Sequence, residues 1–196
     1  MIYTLGLVML ITLVASIVCF NNYDLESRLM GYPYGTYKQG EWYRLLTAGF
    51  IHGDVVHLLF NGYGIYVFSP ILMAYWSYWG WWGEIFFLLL YLGAIVMANT
   101  ISYYKYRNNV YYNHLGASAG VVAVMSAAIC YAPTIQMHFF FLPFGIPAGL
   151  YLTLYLLMSF SRKDSESRTD YLSHYIGGIY GIVFMILLKY IEVVFH

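Results

Sequence analysis

Six runs of apolar residues divide the chain, at about residues 2–20, 48–68, 81–101, 116–132, 135–160 and 171–194. Crossing a hydrocarbon layer takes roughly 20 residues of helix, so the pattern predicts an all-α membrane protein with six transmembrane helices. The longest polar stretch lies between the first two runs, where Asp24, Glu26, Arg28, Lys38, Glu41 and Arg44 alternate with tyrosines and Trp42. Such rings settle in the headgroup zone with one end wet, so this large first loop is expected to be membrane-associated. Ser69-Pro70 is read as the end of the second span and Pro133 as the end of the fourth. Pro143, Gly145 and Pro147 interrupt the fifth span, which is expected to be bent or shifted. The charged run 161–170 reads as a solvated loop.

Composition agrees with the pattern: 61% of the 196 residues are hydrophobic and only 9% charged, which excludes an ordinary soluble domain. Six spans leave room for little else, so residues 1–196 are expected to form a single domain. The formal net charge is zero and the charges fall in short clusters, giving no surface for nucleic acid. Cys19 and Cys130 lie inside apolar runs, which argues against a disulfide framework or a zinc cluster and for packing roles. No Lys or Arg precedes the first run and no small-residue cleavage site follows it, so that run is expected to be a span rather than a cleaved signal. Eight of the nine Lys and Arg lie in the first, third and fifth loops, which the positive-inside rule would place in the cytoplasm. There is no visible repeat, charged pore ring or pair of matching broken helices to suggest a channel or transporter.

Helices joined by short loops alternate in direction, so the second, fourth and sixth spans enter from one side. Ser118 lies two residues past the start of the fourth span, His174 three past the start of the sixth, and His57 and Asn61 about two and three turns into the second. At 1.5 Å per residue they occupy one layer of the membrane. Polar groups inside a span are costly and by default face an interior or a wet cavity. Ser118 alone, flanked by Gly116, Ala117, Ala119 and Gly120, reads more readily as a helix-packing patch than as a site. Gly177 and Gly181 form a G-x-x-x-G that serves packing too. Packing and chemistry reinforce each other here, because close backbones let a short serine reach a histidine.

A histidine within hydrogen-bond reach activates a serine for attack on a carbonyl, giving an acyl-enzyme. His174 fits as base. His57 and Asn61, spaced i, i+4 on one face, either aim donors at a developing oxyanion or form an interhelical polar contact. Backbone N–H groups near Ser118 would add to the hole. His52, at a more superficial level, either opens a wet path or is interfacial. No acidic residue lies in the spans at this depth, since Asp54 is at the mouth and Glu84 at the far end, so a Ser-His dyad is expected rather than a triad. Gly116-Ala-Ser-Ala-Gly120 also matches G-x-S-x-G, but the strand that a nucleophile elbow requires is missing.

Three segments resemble the rhomboid family of intramembrane serine proteases. Glu41-Trp-Tyr-Arg44 through His52 and His57-Leu-Leu-Phe-Asn61 resembles the family's aromatic-Arg loop followed by H-x-x-x-N, Leu115-Gly-Ala-Ser-Ala-Gly120 its G-x-S segment, and His174-Tyr-Ile-Gly-Gly-Ile-Tyr-Gly181 its His followed by spaced glycines. The resemblance implies a six-helix rhomboid-like bundle with Ser118 as nucleophile and His174 as base. It also implies an oxyanion hole of His57, Asn61 and the Ser118 backbone, and a fifth helix that gates substrate entry. No cofactor and no metal are expected; the expected partners are transmembrane protein substrates and the lipid bilayer. Two residues depart from the family pattern: Ala119 stands where Gly usually follows the serine, and Val122 where an aromatic commonly stacks on the base. The resemblance implies a cytoplasmic N-terminus with the odd-numbered loops outside, as in bacterial members of this size, the reverse of the charge rule. The sequence leaves both orientations open, with the resemblance weighed above the charge rule because the first loop is expected to be largely embedded and several of its charges paired. The expected setting is multi-pass in the bacterial inner membrane. The alternative function is an inactive rhomboid-like protein that binds or escorts transmembrane clients.

Overall fold

The computed structural model describes residues 2–138, 143–161 and 171–195. Helix α1 (Ile2–Phe20) is followed by three short helices, α2 (Tyr23–Leu29), α3 (Pro33–Gln39) and α4 (Arg44–Thr47), and a 3-10 turn, Ala48–Phe50. Then come α5 (Val55–Trp76), α6 (Trp82–Tyr106), α7 (Ser118–Tyr131), α8 (Ala148–Ser161) and α9 (Tyr171–Phe195). Gln136–Met137 and Ile146–Pro147 pair as two-residue antiparallel strands, β1 and β2. Four helical segments, Tyr3–Phe20, Val55–Trp79, Trp82–Tyr106 and Tyr171–Val194, are long and apolar enough to cross a membrane. Their outer faces show Leu10, Ile17, Phe60, Tyr66, Leu89 and Ile186, the exposure hydrocarbon tolerates and water does not.

Helix α7 is the opposite case, with every residue from Ala119 to Ile129 buried. Protein therefore surrounds it on all sides. Its 14 residues rise about 21 Å, less than the roughly 30 Å of hydrocarbon. Small side chains make the enclosure possible. A Cβ at Gly177 would stand 2.3 Å from the Ala119 carbonyl oxygen, and one at Gly181 would stand 2.3 Å from that of Ala123. The expected glycine stripe thus brings α9 onto the α7 backbone. Gly64 of α5 meets Val121, and Gly120 receives the ring of Tyr91 from α6.

The connection after α1 folds around Arg44, which is 6% exposed. Its Nε donates to Glu41 Oε2 at 2.8 Å, and Nη1 donates to the carbonyls of Ser27 at 2.7 Å and Met30 at 2.8 Å. Gly31 and His114 exchange both backbone hydrogen bonds, and Gly116 N–H donates to Ala48 O. These bonds pin the segment leading into α7 onto the first loop.

The helix limits differ from those read in the sequence at four places. The second helix starts at Val55 rather than near 48, because Asp54 caps it through His57 N–H at 2.7 Å. It also runs through Pro70 instead of stopping there, since breaking a helix within lipid would strand backbone polar groups. The third helix extends to Tyr106 rather than ending near 101. The stretch expected to be helical from 135 is instead the β1–β2 ladder, and α8 begins only after Pro147, a residue favoured at helix starts. Most of the charged run, residues 162–170, lies outside the described residues.

Candidate active site

Ser118 is the first residue of α7. The preceding turn needs Gly116: its φ is 125°, in the left-handed region, and a Cβ there would lie 2.7 Å from His57 Cε1. The His57 ring therefore rests on the backbone two residues ahead of Ser118. The later start of α5 puts His57 in the first turn of that helix and Asn61 in the second, closer to the end than the sequence count implied.

Asn61 is 8% exposed and its Nδ2 donates to the His57 carbonyl at 2.9 Å. One of its two amide N–H groups is thus spent within α5. Asn61, Ala117 and Val121 line a cavity of about 450 Å³ between α1, α5, α6 and α7; Ser118 and His174 do not line it.

His174 is the fourth residue of α9, and Gly177, one turn later, abuts the residue after Ser118. One of the two close backbone approaches along the α7–α9 seam thus occurs beside both candidate residues. The hydrogen bond seen at His174 Nδ1 is to Tyr155 Oη of α8, at 3.1 Å. Tyr171 meets the same imidazole edge-on, with centroids 6.1 Å apart at 79°.

His52 is wholly buried, ahead of the start of α5. Burial, assisted by neighbouring His57, lowers its pKa to about 3. The neutral ring accepts Ala117 N–H at Nε2, 3.4 Å away. Its single N–H is then on Nδ1 and donates to Ser16 Oγ at 3.0 Å, while the Ser16 hydroxyl donates to Phe50 O at 3.3 Å. His52 is thus a strut between α1 and the residue before Ser118. His52 and His57 contact edge-to-face at 4.9 Å.

Two residues of this site escaped the sequence reading. Tyr155 is one of 23 tyrosines, and nothing in its local sequence sets it apart. Ser16 is a small polar break in the first span, and that was its only signal.

The arrangement sets a hydroxyl at the head of a buried helix, with imidazoles carried by two neighbouring helices. The rhomboid domain model matches residues 39–191, most of the chain, and the protein belongs to the rhomboid family of integral membrane proteins. It is 35% identical over 91 residues to YdcA of Bacillus subtilis (strain 168), a protein whose name proposes it as a rhomboid protease. That alignment covers 46% of this chain and 41% of YdcA, so the chain spans under half the length of that relative.

Proposed function

We propose that the protein is an intramembrane serine endopeptidase that cuts a peptide bond in or beside the transmembrane helix of membrane-protein substrates. Family membership supports a protease, and the observation carrying the residue assignment is the close approach of α7 and α9 at Ala119 and Gly177, beside Ser118 and His174. His174 takes the Ser118 proton as Oγ attacks the scissile carbonyl. The oxyanion meets the His57 ring, the Asn61 amide and the Ser118 N–H at the helix start. Collapse expels the amine, which receives the proton from His174, and water then hydrolyses the acyl-enzyme. Six spanning helices and a bacterial inner membrane complete this reading.

Ser118→Ala and His174→Ala should each abolish cleavage of a model single-span substrate in liposomes. Retained cleavage by either variant removes that assignment. Labelling by a serine-directed covalent probe should require both residues; if the wild type is not labelled under any cleavage condition, the protein is a binder of transmembrane clients.

A further inference from the structure

Proton abstraction by His174 requires a lone pair on the nitrogen facing the serine, hence a proton on the other nitrogen. The tautomer of a neutral imidazole is set by whatever its second nitrogen bonds. In this chain that partner is a tyrosine from a third helix. Tyr155 Oη lies 3.1 Å from Nδ1, with the two ring planes within 22° of each other. The hydroxyl meets the imidazole along its edge.

Contacts on α8 beside Tyr155 hold it in place. Its neighbour Leu156 fills the space beside Gly178, where a Cβ would stand 2.3 Å from Leu156 Cδ2. That contact locks α8 against α9 beside the Tyr155–His174 pair. One turn on, Ser159 Oγ donates to the Tyr155 carbonyl at 2.9 Å. Val122, four residues after Ser118 and so on the same face of α7, brings neither a ring nor a polar atom.

We propose that Tyr155 is the positioning residue for His174: its phenolic oxygen accepts Nδ1–H, leaving the lone pair on Nε2 for the Ser118 proton. This rests on the protease reading above. As Ser118 Oγ bonds to the carbonyl carbon, its proton moves to Nε2, and Nδ1–H of the resulting imidazolium stays on Tyr155. Nε2–H then protonates the departing amine, restoring the same tautomer. Because Tyr155 belongs to α8, the orientation of the base depends on α8 being seated against α9.

The test uses the full chain in liposomes with two variants. Tyr155→Phe keeps the ring and removes only the hydroxyl, so it should fold as the wild type does. It should lower kcat about ten- to hundredfold, part of the 10²–10⁴ that general-base catalysis supplies, with KM within about twofold. Tyr155→Leu removes the ring as well and should fall further. ¹⁵N NMR of the neutral His174 ring, assigned by its loss in His174→Ala, should show Nδ1–H in the wild type and a drift toward Nε2–H in Tyr155→Phe. The inference is overturned if Tyr155→Phe keeps kcat within twofold, or if the wild-type ring is already Nε2–H. Ser118→Ala separates the two readings: cleavage lost in Ser118→Ala but kept in Tyr155→Phe sinks only the role of Tyr155. The NMR readout needs no turnover at all.

Discussion

In the proposed protease the α7–α9 seam sets the geometry of Ser118 and His174, and Gly177→Ala tests this directly. A Cβ at Gly177 would stand 2.3 Å from Ala119 O, 2.9 Å from Ala119 C and 2.9 Å from Ala119 Cα. All three are backbone atoms, so no rotamer relieves the clash. Cβ contacts below 3.0 Å essentially do not occur, so the helices must part by about 0.7 Å or more. Overpacking of this kind costs about 1–3 kcal/mol, offset in part by the roughly 1 kcal/mol by which Ala favours a helix over Gly. The net loss of stability is therefore modest. The catalytic loss should be larger, because a displacement near 1 Å in a reacting pair can cost about a hundredfold. Gly181→Ala makes the same 2.3 Å clash with Ala123 O, but one turn further from His174. Gly178→Ala meets only the end of the Leu156 side chain, which a rotamer change relieves while loosening the α8 contact beside Tyr155, so it should lose less than either stripe variant. Cleavage kinetics and thermal stability should be measured on all three. The expected order of kcat is Gly178→Ala highest and Gly177→Ala lowest, with the two stripe variants losing similar stability. If Gly177→Ala retains wild-type kcat and stability, the seam does not set the site.

Four further outcomes follow from named contacts. Gly116→Ala, strained by the positive φ and by His57, should lose at least as much activity as Gly177→Ala; wild-type turnover would show that the turn before Ser118 is dispensable. His57→Ala and Asn61→Ala should each lower kcat more than they raise KM, as expected for groups that act in the transition state; an effect on KM alone would refute the oxyanion role. Arg44→Lys cannot reproduce the bonds to Glu41, Ser27 and Met30 and should cost about 3 kcal/mol in denaturant unfolding, so an unchanged midpoint would dismiss Arg44 as the organiser of the first loop. His52 has a native pKa of about 3 against an ordinary 6.5, so between these values the unfolded chain binds the extra proton. Stability should fall as pH drops from about 6.5 toward 3, and His52→Gln should flatten that slope relative to the wild type; parallel profiles would show that His52 is not buried as a neutral strut.

Much of the fold is legible in the sequence because lipid enforces long apolar helices, and a run such as 2–20 can satisfy its backbone in few other ways. The same property misplaces helix ends. Pro70 reads as a stop in water, yet α5 continues through it, and the apolar residues 48–53 read as helix until the Asp54 cap starts it later. The stretch 135–147 is apolar enough to suggest a span, but among its described residues Gln136–Met137 and Ile146–Pro147 pair as a short β-ladder. In the candidate site, Ser118, His57, Asn61 and His174 stand out because a polar residue in an apolar run needs a reason. Tyr155 and Ser16 do not, because tyrosine is common in this chain and a lone serine can bond its own helix.

The sequence by itself determined the class of protein, its apolar helices, the glycine stripe on the last helix and the polar residues worth suspecting, since these depend on composition and spacing along one strand of chain. Only the tertiary structure decided that Gly177 meets Ala119, that His57 lies on Gly116, that His52 ties Ser16 to Ala117, and that Tyr155 reaches His174. Each of these joins residues distant in sequence, on separate helices or on the turns that lead into them. Such pairings depend on how helices rotate and approach one another, which no local pattern encodes.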